Sequence, residues 1–192
     1  MDITVLVILS IIFGLQLLDA KTPARQGFFG RAIFLSAIIA IFSLSFYLSW
    51  QQYQFWKSDH LGKLFLPPYQ NFNYFIFYIR TRFFNPYLLS LFFSLLFFWS
   101  AKHFNKKYEG RFLEESETYI LASAIFLVGH PNWLFYLILL LLVSLLLSLA
   151  NFLYFEHGKR LSLYYLWLPT AIFTILISKW LEMLPWWQTL KF

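Results

Sequence analysis

Apolar residues in this chain come in long unbroken blocks, with the charges pushed into the gaps between them. The blocks lie at about 3–18, 32–50, 86–101, 118–130, 133–154 and 163–179, each bounded by charged residues, Pro or Gly. Uninterrupted apolar runs that approach the roughly 20 residues needed to cross a bilayer predict helices in lipid. The reading is an all-α polytopic membrane bundle of about six transmembrane helices, a single integral membrane domain over residues 1–192. The block at 118–130 is the shortest. The first block follows one acidic residue and lacks a basic leader and a small-x-small cleavage site, so it is expected to remain as a helix.

The stretch 51–85 breaks the pattern. Lys57, Asp59, His60, Lys63, Arg80 and Arg82 alternate with Phe, Tyr and Trp around Pro67-Pro68. Such a mixture predicts an interfacial aromatic insertion between helices two and three, with Asn73 to Phe84 lying along the membrane surface. The competing reading is a wet loop against the bundle.

Composition agrees with a lipid environment: 60% of residues are hydrophobic, 12% are charged, and 23% are aromatic. A soluble domain of this length could not bury so much apolar surface. The net charge of +6 is spread through short connections instead of forming one stripe, so the expected partner is the lipid bilayer and not nucleic acid. Basic residues also set orientation. With the N-terminus outside, the inner connections hold Lys21, Arg25, Arg31, Lys102, Lys106, Lys107, Arg111, Lys159 and Arg160. This places the chain in the cell's cytoplasmic (inner) membrane with the ends of helices one, three and five facing the cytoplasm.

Absence of cysteine removes disulfides, thiolate metal sites and thiol nucleophiles. His130 and the Glu156-His157 pair fall on opposite faces in this topology, so no metal is expected to join them, and no cofactor is expected. Phosphate-binding glycine loops and Ser-His-Asp order are missing. A transporter would need polar groups at mid-membrane depth, and beyond Gln16, Asn151 and scattered Ser and Thr there are few.

Chemistry then rests on acids at helix ends, which are costly beside hydrocarbon. Asp19 closes the first helix, at the end where the helix dipole disfavours an acid. A snorkelling acid paired with Lys21 or Arg25 is the simpler account. Glu114, Glu115 and Glu117 precede the fourth helix, where acids assist helix initiation. Both groups fall on the same membrane face, and two carboxylates on one face can share a proton and activate water.

The string Glu117-Thr118-Tyr119-Ile120-Leu121-Ala122-Ser123, followed by Gly129-His130-Pro131, resembles the prepilin peptidases, membrane aspartyl proteases of type IV pilus and archaeal flagellum systems. Their pattern is Gly-x-Gly-Asp, then Val-Lys-Leu-Leu-Ala-Ala, then Gly-x-Pro about a helix later. Leu18-Asp19-Ala20-Lys21-Thr22-Pro23 is similar to the segment carrying the family's other aspartate, and Lys159-Arg160 with Pro169 follows the layout before its last helix. The resemblance implies Asp19 and Glu117 as the catalytic pair, with Glu114 in reserve, and pilin-like leader peptides as substrates. Where the family keeps two glycines and an aspartate, this chain has Glu115-Ser116-Glu117, which sets the carboxylate one methylene further out. It also has the long 51–85 insertion. The alternative reading is a catalytically inactive scaffold of the same fold that binds a partner through 51–85.

Overall fold

The structure, a computed structural model, describes residues 2–19, 26–108, 115–154 and 164–190. They form α1 (Asp2–Asp19), α2 (Gln26–Ser58), a 3-10 turn (Gly62–Phe65), α3 (Phe72–Ile79), a π turn (Arg80–Phe84), α4 (Asn85–Lys107), α5 (Glu115–Val128), α6 (Asn132–Tyr154), α7 (Trp167–Leu181) and α8 (Pro185–Gln188). Among the described residues there is no strand. All six expected blocks are helical. Three helical stretches are long and apolar enough to cross a membrane: Gly30–Ser58, Phe72–Lys107 and Asn132–Leu153. The apolar parts of α1, α5 and α7 are shorter.

The shortest of the six sits at the centre. From Ile120 to Val128 every residue of α5 is buried, with Ala122, Ala124, Ile125 and Phe126 wholly enclosed. Its 14 residues rise about 21 Å, less than the roughly 30 Å of hydrocarbon in a bilayer. Its neighbours α2, α4, α6, α7 and α1 enclose it, so its length is matched to protein and not to lipid. The Phe126 ring lies 6.3 Å from that of Phe42 on α2 and 6.1 Å from that of Tyr87 on α4. Small residues bring the backbones together. A Cβ on Gly30 of α2 would stand 3.0 Å from the Tyr119 Cβ, and Ser94 Oγ on α4 donates to the Ala122 carbonyl of α5 at 2.6 Å. The turn into α6 uses Gly129 at φ +78°, where a side chain would be strained.

The segment 51–85, expected as an interfacial insertion, is largely helical. Helix α2 continues beyond residue 50 to Ser58, and α3, the π turn and α4 form one continuous helix from Phe72 to Lys107. Each of these long helices rises about 50 Å, well beyond the hydrocarbon thickness. Together they form a hairpin with its own small core. Trp56 packs on Phe65, Phe75 and Tyr78 at 5.5, 5.3 and 4.9 Å between ring centroids. Asp59 Oδ2 accepts the Gly62 N–H at 2.8 Å, and a Cβ on Gly62 would stand 2.9 Å from the Trp56 backbone. The Asn71 side chain accepts the Asn73 N–H and starts α3.

Pro86 accounts for the π turn. A proline lacks the amide that would bond four residues back, and its ring collides with that carbonyl. Immediately before it the helix widens, and Asn85 N–H bonds to Arg80 O, five residues away. Ser45 Oγ on α2 lies 3.3 Å from the Phe83 carbonyl in this turn, so the altered backbone finds a partner across the helix pair.

Candidate functional site

Antiparallel alternation gathers specific helix ends. Gln16, one turn before the end of α1, donates through Nε2 to Tyr164 O, just ahead of α7, at 2.6 Å. Gly30, near the start of α2, meets Tyr119, near the start of α5. The ends of α1, α4 and α6 and the starts of α2, α5 and α7 therefore share one end of the bundle, the alternation expected from the charges. Asp19, Glu115 and Glu117 belong to this end. The Asp19 side chain and Glu114 lie outside the described residues, as do Lys21, Arg25, Glu156, His157, Lys159 and Arg160.

Glu117 is buried, 5% exposed, in the first turn of α5, between buried Ser116 and Thr118. The Arg31 guanidinium of α2 stands 5.7 Å from the Tyr119 ring centroid, so a fixed cation lies beside the start of α5. The ionisable carboxyl is walled in by helices. Position at a helix start and burial are both compatible with either account.

Three polar atoms at this end, Gln16 Oε1, Ser116 Oγ and Trp167 Nε1, are buried with no hydrogen-bond partner among the described residues. They come from α1, α5 and α7, which pack on one another. Leaving such groups unpaired costs about 1–3 kcal/mol each. An acceptor, a hydroxyl and an N–H donor are together what a buried water or a peptide group satisfies. Sequence reasoning singled out Glu117 and Asp19 but gave Gln16 and Trp167 no role beside them. Their separation of 148 residues between Gln16 and its partner Tyr164 leaves no local signal.

His130 lies at the opposite end, on the turn between α5 and α6. The Trp133 indole N–H donates to its Nδ1 at 3.2 Å, which fixes the tautomer, and Nε2 donates to Leu190 O at 2.8 Å. Nε2 thus fastens the chain after α7 to the α5–α6 turn, while Nδ1 is held by Trp133 of α6. Among the described residues no group of His, Asp and Glu could hold a metal ion.

Buried hydroxyls are more numerous than the sequence reading counted, including Ser45, Ser94, Ser123, Thr170, Thr174 and Ser178. Each donates to a helix carbonyl and so is satisfied within the bundle. Searches for similarity among protein families, curated proteins and solved structures gave no match.

Proposed function

We propose that this protein is a prepilin peptidase-like membrane aspartyl endopeptidase, with six spans and its Asp19 end at the cytoplasmic face of the cell membrane. The observation that carries the reading is the buried Glu117 on the central helix, at the end of the bundle where α1 closes on Asp19. In this reading Asp19 and Glu117 share one proton, with Glu114 in reserve. The ionised carboxylate takes a proton from water as it attacks the scissile carbonyl of a leader peptide, and the protonated one donates to the departing amine. The unpaired Gln16, Ser116 and Trp167 atoms offer hydrogen bonds to that water or to the peptide backbone. The nine basic residues of the connections at this end support a cytoplasmic assignment.

Leader cleavage of a pilin-like substrate in membranes is the test. Wild type should cleave, while Asp19→Asn and Glu117→Gln should each lower the rate by at least about a hundredfold, the usual scale for removing a general acid or base. Cleavage that survives both substitutions removes the carboxylate pair. A second reading, an inactive scaffold working through 51–85, draws on the exposed aromatic residues of the hairpin, among them Trp50, Phe55, Tyr69 and Phe77. It is favoured if well-folded wild type fails to cut a leader that a prepilin peptidase cuts.

A further inference from the structure

At the end of the bundle opposite Asp19, a cavity of about 610 Å³ opens between the π turn, the α5–α6 turn and the end of α7. We propose that it binds the phosphoethanolamine headgroup of a phospholipid. Its volume falls within the range of small-molecule sites. Its place in the fold supplies the first argument. The apolar helix α6, long enough to cross a bilayer, starts here at Asn132. A cavity level with the ends of apolar helices lies at headgroup depth when those helices are in a bilayer. Leu48, Phe83 and Leu89 are among the apolar residues of its wall, suited to the first carbons of an acyl chain.

Charge selects the headgroup. Among the described residues of the wall, Arg82 supplies a cation and Glu182 an anion, and both side chains are exposed. A guanidinium matches a phosphate by paired N–H donors. The carboxylate of Glu182 matches an ammonium. A primary ammonium has three N–H groups to give to that carboxylate. Choline has none, and a glycerol headgroup lacks the positive charge. The backbone irregularity is in the same place: Thr81, Arg82 and Phe83 of the π turn line the cavity, and π turns inside helices concentrate at functional sites. Nothing in this proposal depends on the protease reading, because the two sites occupy opposite ends.

The full chain, purified and stripped of lipid, can be titrated with phosphatidylethanolamine, phosphatidylcholine and phosphatidylglycerol of identical acyl chains, counting bound lipid by native mass spectrometry. Phosphatidylethanolamine should bind about tenfold more tightly than the other two, the scale of one charge-assisted contact. Glu182→Gln should bring it down to the level of phosphatidylcholine, and Arg82→Gln should weaken binding of all three. Both side chains are exposed, so these variants keep the fold, which circular dichroism checks. Free phosphoethanolamine should displace the lipid and inorganic phosphate should not. Equal binding of the three lipids, or a preference that survives both substitutions, overturns the proposal. Displacement by phosphate alone would make this a simple anion site, and binding of free phosphoethanolamine by a protein that takes up none of the three lipids would make the ligand soluble; either result also overturns it.

Discussion

Helices α5 and α6 are joined by a three-residue turn and are built from similar apolar side chains, yet their surroundings are opposite. In α5 the run from Ile120 to Val128 is enclosed by other helices. In α6, Leu141, Leu145, Leu146 and Leu149 are more than half exposed, and only 17% of its most apolar stretch is buried. An exposed leucine surface of that extent fits lipid and not water. Hydrophobicity therefore distinguishes membrane from water, while packing inside the membrane is set by small residues and complementary rings. A helix that faces lipid must match the bilayer in length, and one surrounded by protein need not.

The sharpest way to break this contrast is a pair of truncations. Phe126→Ala removes a fully buried ring held between Phe42 and Tyr87. In lipid the unfolded reference keeps the side chain in hydrocarbon, so mainly the packing and cavity part of the loss counts, about 2–3 kcal/mol. Leu145→Ala, 65% exposed on α6, should change stability by less than about 0.5 kcal/mol. Unfolding midpoints in mixed micelles measure both; equal effects would mean that α6 is also enclosed, for instance by a second copy.

A smaller effect is expected where α2 meets α5. Gly30→Ala sets a methyl 3.0 Å from the Tyr119 Cβ, which should push the helices apart at a cost of about 1–2 kcal/mol. It should also lower leader cleavage if Glu117 is catalytic, since it displaces the turn that carries it. Replacement by Ala with no change in midpoint would show that α2 has room to move away. Ser94→Ala, which removes the hydrogen bond to Ala122 O, is the mildest at about 0.6 kcal/mol, the mean for such bonds between membrane helices. The same unfolding experiment resolves it only if α4 stays in register.

Much of the candidate site was legible because acids at apolar helix ends stand out in one dimension. Asp19 ends α1, and Glu117 falls in the first turn of α5. The depth of Glu117 and the unpaired atoms of Gln16, Ser116 and Trp167 were not legible, since they depend on which helices meet. The helical pairing of 51–85 was hidden for a different reason. Charged and aromatic residues there read as an interface by composition, and composition does not show that Trp56 with its ring partners and the Asp59–Gly62 bond turn the segment into paired helices.

The sequence alone determined that six apolar blocks become helices, because in hydrocarbon every backbone amide must bond within its own segment, a local requirement that block length and punctuation reveal. Only the tertiary structure decided that α5 is central, that α2 and α4 outrun the hydrocarbon thickness, and that Arg82, Asn132 and Glu182 line one cavity. Apolar side chains are interchangeable towards lipid, so which face of a helix meets protein follows from shape complementarity between segments far apart in the chain, and no local pattern encodes that.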